Sequence, residues 1–213
     1  MSPRSASTSA AAGAASGGVA KTPPSASPPV AGQRETFIWS LTLREAIFLA
    51  LIAALIFLGK YFTRIPIHVP GHSGVVWIAL MVVGRGLVNK RGAGLLMGLV
   101  AGALVTFAVP GREGIFEWTK YAAAGAVLDL LVWALGNDLL TWWKAILAGA
   151  GAHLAKLVGA TLLALVLGLP LDVVAVGLGL AATTHLVFGA LGGLLGWTVL
   201  VLLRGVPELR RQM

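Results

Sequence analysis

Six apolar stretches alternate with short polar connections in the part of the chain that follows Trp39. They cover residues 43–62, 75–88, 92–109, 118–135, 139–167 and 173–203. A helix needs about 20 apolar residues to cross a bilayer, so the second stretch is short and the sixth is overlong. The pattern predicts an all-α membrane protein with about six transmembrane helices, formed by residues 34–213.

Composition excludes a water-soluble domain. The chain is 57% hydrophobic and 11% charged, whereas an average soluble domain is about a quarter charged. It carries 16 Lys and Arg against 8 Asp and Glu, and in a membrane protein such an excess indicates cytoplasmic loops rather than nucleic-acid binding. No cysteine is present, which excludes disulfides and thiol nucleophiles.

Residues 1–33 differ from the rest of the chain. They are rich in Ser, Ala, Gly and Pro, and such a segment cannot bury enough apolar surface to offset its chain entropy. It also lacks the apolar core of a signal peptide. We predict a disordered tail.

The basic residues predict the orientation. If the first helix starts in the cytoplasm, nine basic residues fall on the inner side: Arg34, Arg44, Arg85, Lys90, Arg91, Lys144, Arg204, Arg210 and Arg211. Four fall on the outer side: Lys60, Arg64, Arg112 and Lys120. Tryptophans 39, 118, 142 and 143 lie at the predicted interfaces, as an aromatic belt requires. We expect a multi-pass protein of the plasma membrane, in contact with its lipid, with both termini cytoplasmic.

Small residues recur at every fourth position on three of the predicted helices. The stripes are Ala46, Ala50 and Ala54 on the first, Gly94, Gly98 and Gly102 on the third, and Gly189 and Gly193 on the sixth. Such stripes let helix backbones approach closely in a membrane. We expect the glycine stripes to pack within the protein, while the alanine stripe could dock a separate partner.

The region from Leu43 to Leu203 resembles the S component of an energy-coupling factor (ECF) transporter. The similarity rests on six predicted spans with a short second helix, on the Ala46–Ala50 stripe, and on the segments Val69–Gly74 and Gly84–Gly92. S components are membrane subunits that capture a vitamin, cofactor precursor or metal ion. The resemblance implies that Ala46, Ala50 and Ala54 dock on a transmembrane coupling subunit, which joins two ATPase subunits. It implies no enzyme activity and no bound cofactor, and the chain has no ATP-binding loop of its own.

Ionisable residues inside predicted spans mark candidate solute contacts. Counting along the helices places Asp129, His153 and His185 near mid-depth. Lys156 shares a helix face with His153, and Thr184 adjoins His185. One interpretation is a pair of Asp129 with a histidine or lysine that only locks helices together. The other is a solute site, which agrees with the usual position of the site in S components.

Two outer connections supply the remaining candidates. The first contains Pro66, Pro70 and Gly71, which constrain the backbone, and in S components the corresponding loop closes over the solute. In the second, Glu117, Lys120 and Tyr121 share the outer turns of one helix and suit a zwitterionic or heterocyclic solute, with Trp118 and Tyr121 available for stacking. The candidate substrate contacts are His72, Trp77, Glu117, Lys120, Tyr121, His153, Lys156, Thr184 and His185.

Two alternative functions stay open. Histidines 68, 72, 153 and 185 could bind a divalent metal, although nickel and cobalt S components begin with Met-His and this chain begins with Met-Ser. Alternatively, Gly71–Gly74 fits the Gly-x-Ser-Gly pattern of rhomboid-like intramembrane serine proteases. That alternative requires Ser73 Oγ within about 3.2 Å of His185.

Overall fold

The computed structural model describes residues 36–38, 40–62, 71–108 and 114–205. The chain divides into two units, residues 1–33 and 34–213. The predicted tail lies wholly in the first unit, outside the described residues, and stays a prediction. The predicted loop residues Pro66, His68 and Pro70 also lie outside the described residues, as do Trp39 and Arg112.

Six α-helices make up most of the described chain. They are α1 (Leu43–Phe62), α2 (Gly74–Leu87), α3 (Ala93–Ala108), α4 (Glu117–Ala134), α5 (Trp142–Val166) and α6 (Leu171–Arg204). Each begins and ends within three residues of its predicted bounds, so the helical fold is confirmed. A short 3-10 helix, Gly114–Phe116, precedes α4.

Only two of the described helices are long and apolar enough by themselves to cross a membrane. These are Leu43–Phe62 and the part of α6 from Ala175 to Arg204. At 14 residues, α2 is about 21 Å long, well short of the roughly 30 Å hydrocarbon core. Helix length alone therefore does not establish six spans.

The glycine stripes lie where helices touch, as the sequence predicts. A Cβ atom added to Gly98 on α3 would lie 2.2 Å from the Tyr121 carbonyl oxygen on α4. One added to Gly193 on α6 would lie 2.3 Å from the Ala145 carbonyl oxygen on α5. These contacts hold α3 against α4 and α5 against α6 at a separation that larger residues would not permit.

The start of α1 carries a feature that the apolar pattern does not predict. Strand β1 (Thr36–Ile38) pairs antiparallel with β2 (Leu41–Thr42) directly before the helix. Thr42 and Glu45 then form a capping box, in which the Glu45 carboxylate accepts from the Thr42 N–H at 2.8 Å and the Thr42 hydroxyl accepts from the Glu45 N–H at 3.3 Å. Lys90 donates to the same carboxylate at 2.7 Å, which ties α1 to the connection between α2 and α3.

Large apolar side chains cover the outside of the helices while several polar ones are buried. On α1, Ile47, Leu51 and Leu55 form an exposed stripe. The buried polar residues among those described are Arg85, Glu117, Lys120, His153 and His185. The rest of the buried core is apolar, and the buried polar groups define two polar sites within it.

Candidate functional site

Two histidines from neighbouring helices form the centre of the candidate site. His153 lies near the middle of α5 and His185 near the middle of α6, and their ring centroids are 4.5 Å apart. His153 is fully buried and His185 is 6% exposed. The predicted convergence of these two residues is therefore correct.

Hydrogen bonds to backbone carbonyls set the proton positions on both rings. His153 Nδ1 lies 2.9 Å from the His185 carbonyl oxygen, and His185 Nδ1 lies 2.7 Å from the Ala181 carbonyl oxygen. Because a carbonyl oxygen only accepts, each Nδ1 carries a proton. In the neutral ring His153 Nε2 is then an acceptor, and this buried nitrogen has no hydrogen-bond partner among the described residues.

Two aromatic residues extend this centre toward α2 and α4. The Trp77 ring lies edge-on to His153 at 5.4 Å and 5.2 Å from the Tyr121 ring. Both are almost completely buried. We call Trp77, Tyr121, His153 and His185 the histidine cluster; it joins α2, α4, α5 and α6.

Charged residues lie beside the histidine cluster. Lys60 at the end of α1 donates to Glu117 Oε1 at 2.5 Å, and Lys120 donates to Glu117 Oε2 at 3.3 Å. The Lys60 ammonium also lies 5.2 Å from the centroid of the Tyr121 ring. Lys156, which is half-buried, follows His153 by three residues on α5 and so lies on the same face of that helix.

The turn Gly71–Gly74 packs directly on the histidine cluster. A Cβ atom at Gly74 would lie 2.2 Å from His153 Nε2, and one at Gly71 would lie 3.3 Å from His185 Nδ1. Gly71 has a φ of 86°, a conformation that favours glycine. The sequence predicts that this connection covers the site, and its described end does contact both histidines.

The other predicted contacts differ in what their side chains do. Thr184 donates its hydroxyl proton to the Ala181 carbonyl oxygen of its own helix at 2.9 Å. His72 is half-buried within the turn. Trp118 is 42% exposed, so Trp77 rather than Trp118 accompanies Tyr121 in the cluster.

Asp129 does not join the histidines at mid-depth, so that prediction is wrong. Arg85 Nε donates to Asp129 Oδ1 at 2.6 Å, and the N–H groups of Gly94 and Leu95 donate to its two carboxylate oxygens at 3.1 and 2.9 Å. Asp129 lies only five residues from the end of α4, at the level where α3 begins, and it caps the open N–H groups there. It locks helices together, with an arginine rather than a histidine or lysine.

Lys60 is the contact that the sequence interpretation missed. Its basic charge ends α1 and the acidic Glu117 starts α4, so both fall at the same level when successive helices alternate in direction. The opposite charges of Lys60 and Glu117 at the same depth are the signal in the sequence that could have indicated this ion pair. That they touch depends on the packing of helices far apart in the chain, which no local pattern contains.

The alanine stripe on α1 lies between a buried and an exposed face of that helix. Ala46, Ala50 and Ala54 are each half-buried. Leu49 and Ala53 beside them are buried, while Leu51 is 61% exposed. Part of the surface of each of these alanines therefore stays accessible and is not covered by packing within the described chain.

The geometry that the two alternative functions need is not found in the described residues. No group of three His, Asp or Glu side chains converges there as a metal site would require. The Ser73 side chain forms no cap hydrogen bond at the start of α2, and no hydrogen bond joins it to His185 within the described part of the chain. His68, which the metal alternative includes, lies outside that part.

No protein-family model matches this chain, and neither a curated protein nor a solved structure matches it.

Proposed function

We propose that this chain is the substrate-capture subunit of an ECF-type importer, binding a small vitamin-like or cofactor-precursor solute from outside the cell. The observation that carries the proposal is the histidine cluster. Aromatic and hydrogen-bonding side chains from four helices meet inside an assembly whose exterior is apolar. Small-molecule sites have this composition, with apolar walls and a few fixed polar groups.

In this proposal the six helices cross the plasma membrane with both termini in the cytoplasm. The two helices of spanning length and the exposed leucine and valine side chains support insertion in lipid. The basic residues support the orientation. The turn Gly71–Gly74 then lies on the outer side of the histidine cluster, where a solute would arrive.

The proposed partners are a transmembrane coupling subunit and two ATPase subunits. The half-buried alanine stripe supports this part, because a smooth strip of small side chains beside exposed leucines lets another helix approach closely. The chain contains no phosphate-binding loop, so partners would supply the energy of ATP.

Two experiments test the proposal. Mass spectrometry of small molecules that co-purify with the protein should recover one defined solute. Co-expression with coupling and ATPase subunits should yield a complex, which Ala50→Trp disrupts by bulk while solute recovery stays unchanged. Leu195→Trp, at an exposed position on α6, is the matched control. Normal assembly of the Ala50→Trp variant would show that the stripe is not the docking face.

A further inference from the structure

The geometry points to the chemical class of the solute: a small aromatic compound with an amino group directly on its ring, which His153 and His185 bind together. This inference rests on the proposed function and deepens it, because it names the group that the histidine cluster recognises. Two hydrogen-bond acceptors beside the same turn carry it.

Each of the two histidines presents one acceptor nitrogen. Both Nδ1 atoms donate to backbone carbonyl oxygens, that of His153 to the carbonyl of His185 and that of His185 to the carbonyl of Ala181. The neutral imidazole rings therefore keep their lone pairs on Nε2. A donor, rather than another acceptor, is the complement of both atoms.

The described part of the chain supplies no donor to either nitrogen. His153 Nε2 is buried and has no hydrogen-bond partner there, and no described residue donates to His185 Nε2. Gly71 and Gly74, which pack on the two rings, have no side chains, and the Gly74 N–H already donates to the Gly71 carbonyl oxygen at 2.8 Å. A buried acceptor without a partner is unfavourable, so a solute that brings the donor gains affinity.

Both acceptor nitrogens lie beside the turn Gly71–Gly74. A Cβ atom added to Gly74 would lie 2.2 Å from His153 Nε2. One added to Gly71 would lie 3.4 Å from His153 Cε1 and 3.5 Å from His185 Cε1, the ring carbon to which Nε2 is bonded. Only backbone covers this edge of the two rings, and the solute takes the place of the turn when the turn moves outward.

The spacing of the two rings fits an amino group. The centroids of His153 and His185 are 4.5 Å apart and the rings are inclined by 35°. A planar amino group directs its two N–H bonds about 120° apart, so with hydrogen bonds of about 3 Å it reaches two acceptors about 5 Å from each other. One amino group can therefore donate to both histidines at once, which a single N–H or O–H group cannot do.

The aromatic residues of the cluster favour a flat ring next to that amino group. Trp77 lies edge-on to His153 at 5.4 Å and 5.2 Å from the Tyr121 ring. An amino group is planar when it is conjugated with the aromatic ring that carries it. The cluster thus combines apolar ring surfaces with two fixed acceptors, as small-molecule sites do.

Three uncharged probes of similar size vary the number of donors. Aminopyrazine carries two N–H donors, (methylamino)pyrazine carries one, and methylpyrazine carries none. We would titrate each probe to about 10 mM into the full chain in lipid nanodiscs and follow binding by ligand-observed NMR, because even millimolar affinities are then measurable. Solute-free protein is prepared by repeated washing, and thermal melts verify that it is folded.

We expect aminopyrazine to bind about tenfold more tightly than methylpyrazine, with (methylamino)pyrazine between them. His153→Phe and His185→Phe keep an aromatic ring but remove one acceptor each, so either should reduce this preference to about threefold and the double variant should abolish it. Trp143→Phe, at a 43% exposed position near the far end of α5, is the matched control and should leave the preference unchanged.

Equal binding of aminopyrazine and methylpyrazine by the folded wild-type protein would overturn the inference, as would the absence of binding by all three probes. This comparison decides even if a histidine variant does not fold. Recovery by co-purification of a solute without an amino group on a ring would also overturn the inference, but it would leave the importer proposal standing. Failure to assemble with coupling and ATPase subunits would do the reverse.

Discussion

Arg85 on α2 and Asp129 on α4 form an ion pair in which the arginine side chain is 1% exposed and the aspartate 14% exposed. Arg85 also donates to Asn89 Oδ1 at 2.9 Å and to Asn137 Oδ1 at 3.4 Å. The pair thereby links the end of α2, the start of α3 and the connection between α4 and α5.

Removing one member of this pair should destabilise the protein strongly. Arg85→Met leaves the Asp129 carboxylate largely buried without its cation, so we expect a loss of about 3–5 kcal/mol in the free energy of unfolding. The double variant Arg85→Met, Asp129→Asn should recover part of that loss. Equilibrium unfolding in mixed micelles measures both.

A control for this experiment lies at the start of α5. Lys144 and Asp138 are 3.7 Å apart and their side chains are 21% and 39% exposed. Because exposed ion pairs contribute about 0–1 kcal/mol, Lys144→Met should cost little. Equal losses from Arg85→Met and Lys144→Met would contradict the role given to Asp129.

The turn over the histidine cluster should not tolerate a side chain at Gly74. In Gly74→Ala the new Cβ would lie 2.1 Å from His153 Cε1, so the ring or the turn must shift. Such overpacking costs about 1–3 kcal/mol, and solute affinity should fall as well. Gly177→Ala, where the added Cβ meets no atom within 4 Å, should be neutral or stabilising by up to about 1 kcal/mol. Thermal melts that rank the two variants in the opposite order would refute this packing.

Adding a side chain at Gly98, in the contact between α3 and α4, should destabilise the protein more than Gly74→Ala does. A Cβ at Gly98 would lie 2.2 Å from a backbone oxygen, which cannot rotate away as a side chain can. Gly98→Ala should therefore force the two helices apart and lower the yield of folded protein, whereas Gly179→Ala, which adds a Cβ in open space, should not. Size-exclusion profiles after solubilisation compare the two, and equal profiles would show that the helices can separate at little cost.

Single cysteines test the proposed orientation, since the native chain has none. Arg91 is exposed in the connection between α2 and α3, and Phe116 is 53% exposed before α4. In intact cells an impermeant thiol reagent should label Phe116→Cys and spare Arg91→Cys. The reverse pattern would place both termini outside.

The helices could be predicted from the sequence because each is a continuous apolar stretch that ends at polar residues, glycine or proline. His153 and His185 could be predicted to meet because each lies near the middle of a long helix. Counting residues along α4 predicts Asp129 near mid-depth, but its partners are the N–H groups of Gly94 and Leu95 at the start of another helix, and the sequence of α4 does not contain that contact. His153 Nε2 is an acceptor because Nδ1 donates its proton to the His185 carbonyl oxygen on α6. This contact between two helices could not be predicted from the spacing of residues along the chain.

Helix α1 carries both the alanine stripe and Lys60. Ala50 and Lys60 are ten residues apart, hence about 15 Å along one continuous helix, and Lys60 holds Glu117 beside the histidine cluster. A protein that shifts α1 when it binds the stripe would also strain this ion pair and so change the affinity for the solute. By thermodynamic linkage the effect is reciprocal: the solute would change the affinity for that protein by the same factor.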